Sequence, residues 1–276
     1  MIERVAIQGE RGSNSHMAAI EMLGEIEVVP CTLSAQVMDA VLERTVDAAV
    51  LPIENSLHGA VAEHYDLLLE APIRIDHESL LRIRHNVIVV PGVKLAEVRQ
   101  VMSHPVALSQ CRRWIHDHAA IQAVPFYDTA GSVKQLMAEG RRDAAGIAPA
   151  LAAREYGAEI IVEGIEDNPE NFTRFHLLRR SDDVKLPALP SPNKMSVAFV
   201  VEHRPGTLVA ALQKLAAAGV DLTKIESRPV PGTPWEYVFY VDYRFEEEAR
   251  AEEALEALKT ECRMVKELGR YRAGEA

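Results

Sequence analysis

The chain has 276 residues, 48% hydrophobic and 26% charged, with a formal net charge of -11 and a pI near 5.4. This is enough length for one large or two smaller domains with buried cores, and the acidic balance without a long basic cluster excludes a nucleic-acid groove. Three scattered cysteines, Cys31, Cys111 and Cys262, exclude a disulfide framework and a metal clip; with no membrane-length apolar run and no leader pattern before Val5-Ala6-Ile7, a cytoplasmic protein is expected.

In chain order, Arg4–Gln8 is expected as a strand, Gly9-Glu10-Arg11-Gly12-Ser13 as a tight loop and Ser15–Leu23 as a helix. Val28-Val29 is strand-like, Ser34 opens a helix to Glu43, and Ala48–Leu51 has the unbroken apolar character of a buried strand. Pro52-Ile53-Glu54-Asn55-Ser56 is expected to turn the chain into a helix ending near Leu69. An extended run from Ile73 to Val90 then crosses to a second set of βα units. That set has strands near Val98–Met102, Ala123–Phe126 and Ala144–Ile147, and helices over Pro105–His118, Ser132–Glu139 and from Pro149. This rhythm predicts two α/β lobes of mainly parallel sheet with a cleft between them, faced by the loops after the strands.

The stretch Asn171-Phe172-Thr173-Arg174-Phe175 joins a polar, turn-rich loop to an apolar run ending at Leu178, so a hydroxyl, a guanidinium and two aromatics meet at a loop-to-strand junction. Ser181 to Pro192 holds three prolines and no periodicity and is expected to be a semi-rigid linker. Beyond it, a strand over Lys194–Glu202, a helix from Pro205-Gly206-Thr207, and strands near Leu222–Ser227 and Glu236–Asp242 are expected. A helix with Ala251, Leu255, Leu258 and Cys262 on one face and a strand near Met264–Leu268 follow. The order is βαββαβ, a ferredoxin-like small domain. The expected division is 1–180, a linker at 181–193, and 194–276.

Four loops of the first part place small polar residues at helix starts: Gly12-Ser13, Asn55-Ser56 with Gly59, Ser103-His104-Pro105, and Thr129-Ala130-Gly131-Ser132. Each alone is an ordinary N-cap; together they suit a carboxylate or phosphate. No glycine-rich nucleotide loop and no Gly-x-Ser-x-Gly elbow occurs, and His116 and His118 lack helical ligand spacing, so neither a cofactor nor a metal is expected.

These stretches in this order resemble prephenate dehydratase along nearly the whole chain, in the stand-alone form with a C-terminal ACT regulatory domain. The resemblance rests on Gly9 to Ala19, Leu51 to Val61, Ser103-His104-Pro105, Gln110-Cys111, Thr129 to Ser132 and Asn171 to Phe175. In the last part it rests on Arg204 to Leu208, Glu226-Ser227-Arg228-Pro229 and Pro234-Trp235-Glu236-Tyr237. Asn14 stands where the family usually has an aromatic and Thr207 where it usually has alanine; no chorismate mutase segment is expected ahead of residue 1.

The resemblance implies a two-lobed, periplasmic-binding-protein-like catalytic domain followed by the ACT domain. It implies loss of CO2 and water from prephenate to give phenylpyruvate in phenylalanine biosynthesis. It gives Thr173 the catalytic role of donor to the departing hydroxyl, and Ser13, Asn55, Ser56, Gly59, Thr129, Ser132, Arg174 and Phe175 a place around the substrate. It also implies L-phenylalanine as an allosteric inhibitor held by Pro205, Gly206, Thr207, Leu208, Glu226, Ser227 and Arg228 in a homodimer or homotetramer. Arogenate, the amino analogue, is the alternative substrate. A non-catalytic ligand-binding protein and a catalytically dead regulator are the alternatives of another class, and the retained Thr173 and Asn55-Ser56 stretches argue against both.

Overall fold

The computed structural model describes residues 2–184, 191–230 and 236–275. The central part of the proline-rich linker and Pro234-Trp235 lie outside the described residues. Val5, Ala6 and Ile7 of β1 (Arg4–Gln8) are fully buried, because β2 (Glu27–Cys31) and β3 (Ala48–Asn55) flank the strand in parallel and α1 (Asn14–Leu23) and α2 (Ser34–Leu42) make the crossovers. β3 runs on through Asn55 and folds back as β4 (Gly59–Ala60), antiparallel to it, before α3 (Ala62–Glu70) and β5 (Ile73–Arg82). The helix expected directly after Ser56 therefore starts six residues later, at Ala62. Gly59, with φ +78, makes the tight turn, and the space beside it is open.

A second sheet is made of β6 (Asn86–Val89), β7 (Gln100–Ser103), β8 (Gln122–Pro125), β9 (Ala144–Ala148) and β10 (Glu159–Val162), in the order β10-β6-β9-β7-β8. β7, β8 and β9 run parallel, β6 runs antiparallel to β9 and β10 antiparallel to β6, the last an apolar Glu-Ile-Ile-Val run that sequence reading passed over. Its helices are α4 (Pro105–Ser109), α5 (Arg112–Asp117), α6 (Thr129–Glu139) and α7 (Ala150–Tyr156). The single helix expected over Pro105–His118 is thus two, broken at Gln110-Cys111. β11 (Phe172–Arg180) returns to the first sheet, whose order is β2-β1-β3-β11-β5.

The third sheet, β13-β14-β12-β15, is antiparallel throughout. It is built from β12 (Lys194–Val200), α8 (Thr207–Ala217), β13 (Asp221–Pro229), β14 (Tyr237–Arg244), α9 (Glu248–Glu261) and β15 (Met264–Tyr271), the βαββαβ order expected. Met195, Val197, Phe199, Leu215, Val241, Leu255 and Leu258 form its core between the sheet and its two helices. No helix among the described residues is long and apolar enough to cross a membrane.

Contacts divide the chain into two compact units, one of Ile2–Ala60 with Leu80–Phe175, the other of Val61–Ser79 with His176–Glu275. In the second unit α3 is fastened to the third sheet. Lys266 Nζ donates to the carbonyls of Leu68, Leu69 and Ala71 at the helix end at 2.7–2.9 Å, where the helix dipole favours a cation. Arg228 pairs with Asp66, and Tyr240 donates to the Tyr65 carbonyl. The same unit buries an ionic cluster: Lys194 Nζ lies 2.7 Å from Glu78 and 3.3 Å from Asp242, His176 Nε2 lies 3.3 Å from Glu78, and Ser196 donates to Asp242 at 2.6 Å.

Candidate active site

The first unit brings the end of β3 and the start of β11 together. Ser56 N–H donates to the Phe172 carbonyl at 2.8 Å, and the Ser56 hydroxyl accepts from Phe172 N–H at 3.0 Å while donating to the Glu170 carbonyl. Ser56 therefore fastens the two segments. Asn171, Thr173 and Phe175 alternate with Phe172 and Arg174, and the alternating set is buried, with Asn171 at 0%, Thr173 at 8% and Phe175 at 1% exposure. Phe175 packs in the interior, so the contact it makes is with the core.

Asn55 is the node. Its Oδ1 accepts the backbone N–H groups of Leu57 and His58 at 3.0 and 3.1 Å, which settles which end of the carboxamide is oxygen. Its Nδ2 faces Asn171 Oδ1 at 2.8 Å, Thr173 Oγ1 at 2.9 Å and the Phe172 carbonyl at 3.1 Å. Because Thr173 Oγ1 accepts from Asn55, its own hydroxyl proton is directed elsewhere. The Asn171 amide nitrogen is buried with no hydrogen-bond partner among the described residues. Sequence reading gave Asn171 no role; its signal was only its place in the motif. Arg174 lies 3.6 Å from Glu54, one residue from the node on β3.

The remaining helix-start residues form a second group. Ser13 caps α1 by accepting from His16 N–H, and the Gly12 amide donates to His16 Nδ1 at 2.9 Å; burial lowers the His16 pKa and keeps the ring neutral for that bond. Gly12 holds φ +85, and a Cβ there would meet the Ala152 backbone of α7 at 2.6 Å. Asp128, which sequence reading missed although an acidic N-cap is a common start signal, caps α6 by accepting from Gly131 N–H at 2.7 Å. Burial raises its carboxyl pKa. Asp128 also lies against Gly9 and thereby joins the starts of α1 and α6. Thr129 is the first residue of α6; Ser132 is fully buried and donates to the Thr129 carbonyl at 2.6 Å, a bond internal to the helix. Glu10 is held by the Tyr127 hydroxyl at 2.9 Å and Lys134 at 2.8 Å, and burial with that carboxylate pushes the Tyr127 pKa up to about 12.

In the third sheet's unit, residues Arg204 to Val209 with Val201, Glu236, Tyr237 and Phe239 line a cavity of about 380 Å³. Gly206 caps α8 with φ +88 and no side-chain cap hydrogen bond, and the first-turn residues Thr207, Leu208 and Val209 line this cavity. Thr207 Oγ1 donates to the Glu202 and Arg204 carbonyls, so it ties the loop. Glu226, Ser227 and Arg228 lie on β13 opposite Tyr240, Phe239 and Val238 of β14, and Arg228 is engaged by Asp66. Among the described residues no group of three or more His, Cys, Asp or Glu is placed to hold a metal.

Residues 5–183 match the family model of prephenate dehydratase. The chain belongs to the prephenate dehydratase family. It is 38% identical over 97% of its length to arogenate dehydratase/prephenate dehydratase 2, chloroplastic, of Arabidopsis thaliana, and covers 72% of that protein. It is similar to the solved prephenate dehydratase from Arthrobacter aurescens in complex with L-Phe, with 31% identity and a TM-score of 0.87, covering 98% of this chain and 89% of that one. It is equally similar to the solved structure of GqqA, a protein presented as a novel type of quorum quenching acylase, with 33% identity, a TM-score of 0.88, and 99% and 98% of the two chains covered. The membership of a dehydratase family makes the chain a carbon–oxygen lyase, with the α/β fold of the family's solved members.

Proposed function

We propose that the chain is a prephenate dehydratase of phenylalanine biosynthesis, acting in the cytoplasm as a homo-oligomer and inhibited by L-phenylalanine. The observation that carries the reading is the Asn55–Thr173 hydrogen bond at 2.9 Å. In the reaction the bond from ring to carboxylate carbon breaks, CO2 leaves, and its electron pair enters the ring. The carbon–oxygen bond at the far ring position then departs with its own pair. Aromatisation supplies the driving force, and the barrier lies in the departure of hydroxide, which a proton donor relieves. Thr173 is a weak acid, so it serves as an oriented donor or relay. With its oxygen already accepting from Asn55, its proton is free for the leaving oxygen, which departs as water. The unpartnered Asn171 amide is a buried donor of the kind a ligand oxygen satisfies. Ser13 and Thr129, at neighbouring helix starts, supply the setting for substrate carboxylate, and Arg174, held near Glu54, orients the loop.

The acylase similarity suggests amide hydrolysis instead. That chemistry needs a nucleophile whose proton is taken by a base. Asn55 Nδ2 donates to Thr173 Oγ1, the reverse of activation, so dehydration is the better-supported reading.

The effector reading places the phenylalanine carboxylate at the α8 start, on the N–H groups beside Gly206, in the cavity lined by Pro205, Thr207 and Leu208. Residues 1–180 are the catalytic part and 194–276 the ACT part in this proposal, joined by the 181–193 linker.

The decisive assay measures phenylpyruvate from prephenate, and phenylalanine from arogenate, with and without added L-phenylalanine. Turnover of prephenate suppressed by phenylalanine supports the whole reading. Turnover without suppression removes the effector half, turnover of arogenate alone moves the substrate to the amino analogue, and no turnover of either removes the enzyme reading.

A further inference from the structure

A run of hydrogen bonds leads from the interior of the first unit to Asn55 through side chains that have no role above. His85, buried after β5, directs Nε2 at Gln110 Oε1 at 2.8 Å. An amide oxygen only accepts, so His85 carries its proton on Nε2. Burial lowers its pKa and keeps the ring neutral. With its oxygen on His85, Gln110 presents Nε2 to His58 Nδ1 at 3.2 Å, and an amide N–H donates. His58 Nδ1 is therefore an acceptor, and the neutral ring carries its proton on Nε2, toward the Ser109 hydroxyl at 3.5 Å. The same Nδ1 lies 3.3 Å from Asn55 Oδ1.

Two acceptors thus abut while His58 is neutral. Protonation reverses the arrangement: Nδ1–H becomes a donor to Asn55 Oδ1 and opposes the Gln110 donor. His58 is exposed, so both states are reached without unfolding. Charged and titratable groups around this face among the described residues include His85 and Glu166, whose Oε2 accepts from His85 N–H at 3.0 Å, Asp167, which caps α5, and the Arg174–Glu54 pair beside Asn55; α4 itself carries none, and His104 caps its start.

We propose that His58 is a positioning residue for the dehydration, setting the hydrogen-bond state of the Asn55 carboxamide that donates to Thr173. The role rests on the dehydratase reading above. A cationic donor on Asn55 Oδ1 polarises the carboxamide and strengthens its Nδ2–H bond to Thr173 Oγ1. Polarised in turn, the Thr173 hydroxyl is a better donor to the leaving oxygen.

The test is the pH dependence of kcat and KM for the wild type, His58→Asn and His58→Ala, with imidazole nitrogen NMR on the wild type. Asparagine keeps an acceptor near the Nδ1 position and does not titrate. Wild-type kcat is expected to rise about three- to tenfold toward acid through one proton. His58→Asn runs flat at the wild-type alkaline level, and His58→Ala falls severalfold below it with KM little changed. At alkaline pH the NMR spectrum shows both His58 and His85 protonated on Nε2. Superimposable profiles for the three proteins, or a neutral His58 protonated on Nδ1, overturn the proposal. If the wild type turns over neither prephenate nor arogenate, the dehydratase reading fails and this role with it, a result distinct from turnover with unchanged profiles.

Discussion

Replacing Thr173 by valine removes one hydroxyl and keeps the side-chain shape. The structure makes the folding cost small. Asn55 Nδ2 keeps two other acceptors, Asn171 Oδ1 at 2.8 Å and the Phe172 carbonyl at 3.1 Å, so no buried donor is stranded. One neutral hydrogen bond is lost, worth about 0.5–1.5 kcal/mol of stability. A positioned proton donor is worth roughly 10²–10⁴ in rate, or ~2.7–5.4 kcal/mol at the transition state. The two effects are therefore separable by size. In steady-state assays with prephenate, kcat of Thr173→Val is expected to fall by at least about 100-fold with KM within about threefold, while the urea midpoint shows no more than the hydrogen-bond loss. Thr173→Ser, which restores a hydroxyl on a freer rotor, recovers a large part of kcat. A valine variant within threefold of wild type refutes the donor role. So does a loss confined to KM, because a group acting on the departing oxygen works in the transition state and not in ground-state binding.

Asn171→Ala removes the acceptor that Asn55 uses at 2.8 Å while Thr173 Oγ1 and the Phe172 carbonyl remain, and a destabilisation of about 0.5–1.5 kcal/mol in urea unfolding, with lowered kcat, is expected; an unchanged midpoint and kcat refute it. Lys194→Met removes the buried ammonium that lies 2.7 Å from Glu78 and 3.3 Å from Asp242 and is expected to cost about 3–5 kcal/mol, partly recovered by adding Glu78→Gln; equal stability of the single variant counts against the cluster as drawn. Burial lowers the pKa of His16 and His85 below the unfolded value of 6.5. Their stabilisation is present above that value and is lost as pH falls below it, so unfolding free energy is expected to drop as pH is lowered through about 6.5; a flat or rising profile refutes it. Gly206→Ala forces a side chain into φ +88 at about 1–2 kcal/mol and is expected to raise the phenylalanine concentration for half-inhibition with kcat unchanged; unaltered inhibition removes the α8 start from the effector site.

Two of the strands that sequence reading anticipated are buried along a continuous run. Val5-Ala6-Ile7 and Ala48 to Leu51 are fully buried on both faces, and that leaves an unbroken apolar word in the sequence. The misreadings have a different physical cause. Asn55 to Ala60 looks like the lead-in to the helix that follows, and the fold-back depends on one glycine at φ +78 and on Ser56 and Asn55 bonding to Phe172 and Thr173 of β11. The break between α4 and α5 is equally silent locally. It is held by Asp167, which accepts from Arg112 and Arg113 N–H at 3.0 Å and donates its own N–H to the Gln110 carbonyl at 2.7 Å, from 54 to 57 residues away. That same break presents the Gln110 side chain to His85 and His58. At the candidate site the family resemblance named Asn55 and Thr173 but not Asn171, and none of the bonds among them: Asn55 meets Asn171 and Thr173 across separations of 116 and 118 residues. Local periodicity carries no record of a partner that distant. The direction of donation at Thr173, which separates a proton donor from an acyl nucleophile, follows from two backbone amides fixing the Asn55 oxygen, and only the folded chain brings those amides to it.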